Sequence, residues 1–152
     1  MKHGWAALVL SVLALGAFAP RSVDAQEGTA KPPPRERSPG FELGQNYPNP
    51  FNPTTTIPFT IGDPPTCTEA GRLHRVTLRV YNMIGQLVSV PILQGDPAPG
   101  EPIQNLSLPC GSYTAFWNGN YLNTSQEVAS GVYLYKIEVD GKVFAKKMLV
   151  TK

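Results

Sequence analysis

Short runs in which apolar and polar residues alternate are the feature that most limits how this chain can fold. Val76, Leu78 and Val80 are separated by single polar residues, and the same spacing recurs in residues 56–61 and 132–139. A period of two places successive side chains on opposite faces of a β-strand, whereas an α-helix requires a period of about 3.6 residues. We therefore expect an all-β domain in residues 41–152.

Turn residues separate these runs at short intervals. The chain contains 16 Pro and 14 Gly, which favour turns and disfavour helices. Asp140 and Gly141 lie between two strand-like runs and predict a two-residue hairpin. About seven short strands in one domain indicate an immunoglobulin-like antiparallel β-sandwich. The predicted strands are residues 56–61, 75–81, 86–92, 103–108, 113–117, 132–139 and 142–150.

Two residues, one inside a predicted strand and one just before another, allow more specific predictions. Pro58 has no N–H group to donate, so its strand is expected at a sheet edge. His74 stands at the start of a strand, and its sequence neighbours include no nucleophile or carboxylate arrangement. We therefore expect His74 to be an ordinary strand-end residue.

The N-terminal residues predict export. Residues 1–3 include Lys2, residues 5–19 are an apolar run of 15, and Val23 and Ala25 suit a cleavage site before Gln26. Residues 1–25 are therefore predicted to be a secretory signal peptide. A membrane anchor is the alternative, although a spanning helix needs about 20 apolar residues. Residues 26–40 are rich in Pro and charge, and we expect them to form a disordered linker.

The two cysteines, Cys67 and Cys110, both lie in the predicted mature chain. Export favours a disulfide between them, and free thiols are the alternative. The bridge would close a loop of 44 residues and stabilise the fold by roughly 4 kcal/mol in the chain-entropy model.

Composition also narrows the functional class. Two histidines and two cysteines leave few metal ligands, and the chain has no phosphate-binding loop or paired-carboxylate motif. The net charge of +2 gives no reason to expect a nucleic-acid partner. We expect a non-enzymatic module without a catalytic residue, cofactor, metal or small-molecule substrate. Its mature chain is not expected to span a membrane.

Four motifs follow one another in residues 41–152. They are residues 43–57 (LGQNYPNPFNPTTTI), residues 80–88 (VYNMIGQLV), residues 117–119 (WNG) with residues 129–135 (ASGVYLY), and residues 146–152 (KKMLVTK). This ordered set resembles the type A C-terminal sorting domain of type IX (Por) secretion. It is also similar to the immunoglobulin-like domain of flagellar hook-capping proteins.

The resemblance implies a β-sandwich that follows a cargo protein and is recognised by an outer-membrane translocon. A surface sortase then removes the domain, and the cargo reaches the cell surface or the medium of a diderm bacterium after transit through the periplasm. Recognition would involve Asn49 and Pro50 in the opening motif and Lys146, Lys147 and Lys152 at the end. A stand-alone immunoglobulin-like adhesion or assembly domain and a remnant of a longer gene are the alternatives.

Each of these residues also has a structural explanation. The Asn-Pro residues can bond their own backbone in Asx turns, and lysines on an edge strand discourage aggregation. We expect Trp117 and Tyr133 to fill the core, with sugar stacking as the alternative for Trp117. Gly119 and Gly131 are expected where the backbone needs a positive φ or approaches another segment closely.

Overall fold

The computed structural model describes residues 40–152, and in these residues the chain forms nine β-strands and no helix. The predicted signal peptide and nearly all of the predicted linker lie outside the described residues. The prediction of an all-β domain is confirmed. The strands are β1 (Phe41–Leu43), β2 (Thr55–Ile61), β3 (Leu73–Tyr81), β4 (Leu87–Ser89), β5 (Ile92–Gln94), β6 (Leu106–Pro109), β7 (Gly111–Trp117), β8 (Gly131–Val139) and β9 (Lys142–Val150).

The strands are arranged in two antiparallel sheets that share one core, as in a β-sandwich. The first sheet has the order β1-β2-β7-β5 and the second has the order β4-β3-β8-β9. Strand β6 pairs with the first half of β3, on the edge whose second half pairs with β4. The central pairs, β2 with β7 and β3 with β8, join strands that are distant in the sequence.

The core is built from the period-two alternation of the strands. Strand β8 buries Tyr133, Tyr135, Ile137 and Val139, while the residues between them remain exposed or half-buried. Burial of each large apolar side chain contributes about 1.5–3 kcal/mol. The other core residues on the long strands are Ile57, Phe59, Ile61, Val76, Leu78, Val80, Ala115, Trp117, Met148 and Val150.

Pro58 does not place its strand at an edge, because β2 lies between β1 and β7. The prediction was wrong for a geometric reason. The carbonyl of Pro58 accepts the Gly44 N–H at 2.8 Å, on the side of β2 that faces β1. The N–H and C=O of one strand residue point to the same side, so the missing N–H faces this side too. Strand β1 has already ended at Leu43, and the ladder between β2 and β7 loses no hydrogen bond.

The predicted strand at residues 86–92 is divided between the two sheets. Strand β4 belongs to the second sheet, and β5 belongs to the first. Pro91 lies between them, where it cannot donate a ladder bond. Its carbonyl accepts the Ile103 N–H at 2.9 Å, and the Ile103 carbonyl accepts the Leu78 N–H at 2.8 Å. Ile103 is therefore a fully buried bridging residue that precedes β6, and not its first residue.

Cys67 and Cys110 form a disulfide with their Cα atoms 5.6 Å apart. This confirms the predicted pairing. Cys67 lies in the connection between β2 and β3, and Cys110 lies between β6 and β7. The bridge therefore joins two connections that approach the same end of the sandwich.

Candidate functional site: the Pro-Asn loop and the terminal strand

The opening motif forms a loop that lies along the outer edge of the last strand. We call residues 44–54, between β1 and β2, the Pro-Asn loop. Within it, the Phe51 N–H donates to the Leu149 carbonyl at 3.0 Å, and the Thr151 N–H donates to the Phe51 carbonyl at 3.0 Å. These bonds give a parallel bridge between Phe51 and Val150. Two segments about 100 residues apart in sequence thus form one surface.

Asn49 takes part in the same contact. Its Oδ1 accepts the Leu149 N–H at 2.9 Å, and the Gln45 side chain donates to the Lys147 carbonyl at 3.1 Å. The Asn49 side chain therefore bonds a backbone N–H group on the outer edge of β9. Asn49 and Pro50 are both exposed to solvent. The structure therefore brings Asn49, and with it the adjoining Pro50, next to the terminal strand.

Asn46 is only 2% exposed, and its hydrogen bonds hold the buried side of the Pro-Asn loop. Its Nδ2 donates to the Pro48 carbonyl and to Thr55 Oγ1, both at 3.0 Å. The Asx turn expected at Asn46 does not form, because Pro48 has no N–H to donate to the Asn46 side-chain oxygen. The Asn46 N–H donates to the Tyr135 hydroxyl at 3.1 Å, and that hydroxyl donates to the Gly44 carbonyl at 2.8 Å. Burial raises the pKa of Tyr135 to about 12, although the bond from Asn46 acts in the opposite direction.

The Phe51 side chain turns inward and links the opening motif to the two other aromatic motifs. Its ring centroid lies 5.4 Å from that of Trp117, and Trp117 lies 6.0 Å from Tyr133. Trp117 is 2% exposed, and its Nε1–H donates to the Asn120 carbonyl at 3.0 Å. A buried indole with its N–H bonded internally offers no face for sugar stacking.

Gly119 and Gly131 differ in the reason why glycine is needed at each position. Gly119 has φ +78°, and a Cβ there would collide with the carbonyl of Pro53, a residue of the Pro-Asn loop. Gly131 has φ +152°, with open space where a Cβ would be. Glycine is therefore needed at position 119 both for the positive φ and for the close approach of Pro53. At position 131 it is needed only for the positive φ.

The three terminal lysines do not form one cluster. Lys146 lies on the core side of β9 with Met148 and is half-buried, whereas Lys147 is exposed on the outer face. Lys152 Nζ lies 3.6 Å from a Glu127 oxygen. Lys147 and Lys152 are thus both exposed near the Pro-Asn loop, but only Lys147 has no carboxylate of the described residues within 4.0 Å.

The local sequence did not reveal the environment of His74. His74 Nδ1 lies 2.7 Å from Asp140 Oδ2, although 66 residues separate them in sequence. The Arg75 N–H donates to Asp140 Oδ1 at 2.9 Å, and Arg72 lies 3.8 Å from Asp140 Oδ2. The Arg75 bond is the main cause of the lowered pKa of Asp140, and His74 and Arg72 act in the same direction. His74 is therefore buried with a carboxylate partner, contrary to our expectation.

A cavity of about 590 Å³ adjoins His74 and Asp140. Its lining includes both acidic and basic residues, together with Cys110 of the disulfide. The contact with Asp140 orients the imidazole and ties the turn between β8 and β9 to β3. Within residues 40–152, no group of three or more His, Cys, Asp or Glu side chains is placed to hold a metal ion. The same residues include no helix long and apolar enough to cross a membrane.

Comparisons with protein-family models, with curated proteins and with solved structures each found no match to this chain.

Proposed function

We propose that residues 41–152 form an immunoglobulin-like sandwich that serves as a non-enzymatic sorting domain of the type IX kind. The predicted signal peptide exports the chain to the periplasm of a diderm bacterium. An outer-membrane translocon then recognises the sandwich, and a sortase acts on it at the cell surface.

The strand order supports the immunoglobulin-like part of the proposal. The order β1-β2-β7-β5 corresponds to A-B-E-D of an immunoglobulin domain. The order β4-β3-β8-β9 corresponds to C-F-G with one further strand beside C. Strand β6 is an addition to this plan, and it precedes Cys110.

The observation that carries the functional proposal is the convergence of the motifs. Asn49 and Phe51 of the opening motif bond the backbone of Leu149 in the terminal motif. The Phe51 ring packs on Trp117 of the third motif, which contacts Tyr133. Residues that are distant in the sequence thus support a single exposed surface, which a receptor would read as a folded unit.

The geometry also favours one mode of recognition. A receptor could add a strand to the exposed edge of β9, because such an edge offers unpaired backbone groups. The Pro-Asn loop already bonds Lys147, Leu149 and Thr151 on that edge. We therefore propose that the receptor reads exposed side chains, Pro50 and Lys147 above all, at this half of the strand.

A reporter fusion tests the proposal. Residues 41–152 are fused behind a reporter that carries a signal peptide, in a host with a working type IX system. We expect the reporter to reach the cell exterior, and Lys147→Glu to retain it in the periplasm. Lys142→Glu is the matched control, because Lys142 is exposed on the same strand at the opposite end. Circular dichroism establishes that both variants fold, and periplasmic retention of the intact fusion refutes the sorting function.

A stand-alone adhesion or assembly domain is the second candidate. It is favoured by the large apolar side chains that the described residues expose, of which Ile84 at 79% and Met83 at 59% lie in one turn. Intact-mass measurement of the protein from envelope and medium separates the candidates. Removal of the domain supports sorting, whereas retention at the surface supports adhesion.

A further inference from the structure

The turn between β3 and β4 holds two large apolar side chains in solvent. We call residues 82–85 the apolar turn. Asn82 Oδ1 accepts the N–H groups of Ile84 and Gln86 at 3.2 and 2.9 Å, and Asn82 Nδ2 donates to Gln86 Oε1 at 2.8 Å. The exposure of Met83 and Ile84 is therefore imposed by a hydrogen-bonded turn.

Exposed aliphatic residues continue from this turn onto the outer face of the second sheet. Leu87 is paired with Tyr81 at the end of β3 and is 45% exposed. Val132 and Leu149 are paired across β8 and β9 at the same end of the sheet, and they are 41% and 38% exposed. We call this group, with Met83 and Ile84, the apolar patch. Clustered exposure of this kind indicates an interaction surface.

Three cations border the apolar patch. Arg79 lies directly opposite Lys136, and Lys147 is opposite Leu134 in the row that contains Tyr81. Like charges directly opposite each other destabilise a sheet. Lys136 Nζ lies 5.4 Å from the centre of the Tyr81 ring, which offsets part of this cost.

These cations are not neutralised within the described part of the chain. None of the three lies within 4.0 Å of a carboxylate of residues 40–152. Those residues contain eight Lys and Arg and eight Asp and Glu, so the described domain carries no net charge. Glu138 lies on the same face of the second sheet, opposite Thr77 and Val143, so the three cations outnumber it there. The face is complementary to an anionic partner.

We propose that the apolar patch, with Arg79, Lys136 and Lys147, docks on an anionic lipid bilayer. Met83 and Ile84 enter the boundary between headgroups and acyl chains, and the cations contact lipid phosphates. Aliphatic tips suit a bilayer, whereas a polysaccharide would call for exposed aromatic platforms. A second copy bound through the same face would oppose like charges. This proposal does not depend on the sorting function.

Vesicle binding tests the contribution of the apolar turn. The full chain is mixed with phosphatidylcholine vesicles with and without phosphatidylglycerol, and the bound fraction is measured by sedimentation. We expect Met83→Ser/Ile84→Ser to weaken binding to the anionic vesicles by roughly tenfold or more. Leu73→Ser is the matched control, because Leu73 is 61% exposed at the opposite end of β3. All variants share residues 1–39, so their differences report the turn alone.

A second pair of variants tests the charges. Arg79→Gln/Lys147→Gln should weaken binding to anionic vesicles by roughly tenfold and abolish the preference over neutral vesicles. Lys142→Gln, at the far end of β9, should leave binding unchanged. If Arg79→Gln/Lys147→Gln and Lys142→Gln bind anionic vesicles equally well, the proposal is overturned. It is also overturned if the protein binds a soluble polyanion but does not bind vesicles.

A local probe places the contact. Cys67 and Cys110 are joined, so Ile84→Cys supplies a thiol for an environment-sensitive fluorophore. We expect a blue shift with anionic vesicles for the label at position 84 and none for a label at Leu73→Cys. No shift at position 84, or the same shift at both positions, shows that the apolar turn does not enter the bilayer.

Discussion

The Pro-Asn loop and the disulfide loop, residues 62–72, have the same length but are held in different ways. Each has eleven residues and joins strands that are consecutive in the sequence. Hydrogen bonds to the terminal strand hold the Pro-Asn loop. The disulfide loop has one covalent link, and Asp63 accepts bonds from Thr66, Cys67 and Thr68 within the loop. Its two ends also bond outward, because the Gly62 N–H donates to the Gly40 carbonyl at 2.7 Å and Arg72 lies 3.8 Å from Asp140 Oδ2.

Because they are held differently, the two loops become ordered under different conditions. The Pro-Asn loop can reach its position only when β9 is in place, because its partners are about 100 residues away. The middle of the disulfide loop needs oxidation and otherwise relies on bonds within the loop, while its ends bond Gly40 and Asp140. A surface that includes the Pro-Asn loop can therefore form only after β9 is in place.

The largest effect is expected from loss of the aromatic anchor of the Pro-Asn loop. Phe51 is 1% exposed and packs against Trp117. Phe51→Ala should destabilise the domain by about 3–5 kcal/mol, measured by denaturant unfolding. Tyr47→Ala is the control from the same loop, because Tyr47 is 77% exposed and should change stability by about 0.5 kcal/mol or less. Similar losses in both variants would contradict the anchoring role of Phe51.

Removal of the disulfide should have the next largest effect. Cys67→Ser/Cys110→Ser should destabilise the domain by about 2–4 kcal/mol, because the unfolded chain regains the freedom of a long loop. The amide protons of Leu149 and Thr151 should keep their order of exchange relative to the core, since the Pro-Asn loop has its own bonds. Selective loss of protection at these two amides would show that the two loops are coupled.

Tyr135 connects the core to the Pro-Asn loop. Tyr135→Phe leaves the Asn46 N–H and the Gly44 carbonyl without their partner and should cost about 1–3 kcal/mol. The pKa of Tyr135 is raised from 10.0 to about 12 in the folded state. The contribution of the neutral Tyr135 hydroxyl to the free energy of unfolding is therefore present below pH 10. It is lost as the pH rises through about 12. Alkaline unfolding curves should differ between the wild type and Tyr135→Phe, and identical curves would refute this assignment.

The smallest effect concerns Asp140, which contacts Arg72 at the end of the disulfide loop. The pKa of Asp140 is lowered from 3.8 in the folded state. Its contribution is therefore present above pH 3.8 and is lost as the pH falls through the folded-state value. Asp140→Asn should flatten the acid side of the stability curve, measured by thermal melts. Asn is suitable because it tolerates the φ of +49° at this position. A wild-type acid profile in the variant would contradict the pKa direction.

The sequence was sufficient for features that neighbouring residues define. The alternation in residues 132–139 predicted which side of β8 is buried. Asp140 and Gly141 predicted the hairpin, and both have positive φ. The expectation of one basic group at Lys146, Lys147 and Lys152 did not take into account that consecutive residues of β9 point to opposite faces.

Features that depend on distant partners could not be predicted in this way. Pro58 was expected at an edge because the sequence does not show that β1 ends before reaching it. His74 was expected to be isolated because its carboxylate partner lies 66 residues away. The division of residues 86–92 follows from pairing with two different sheets.

By itself, the sequence indicated the long strands and their buried faces, most turns and the disulfide. The strands and turns depend on backbone preferences and on side-chain periodicity over a few residues, whereas β1 and the division of residues 86–92 were not predicted. The tertiary structure alone decided the strand order, the partner of His74 and the contact between the Pro-Asn loop and β9. The reason is physical: a backbone N–H or a buried carboxylate takes the partner that folding brings within about 3 Å, and the chain's local pattern does not specify that partner.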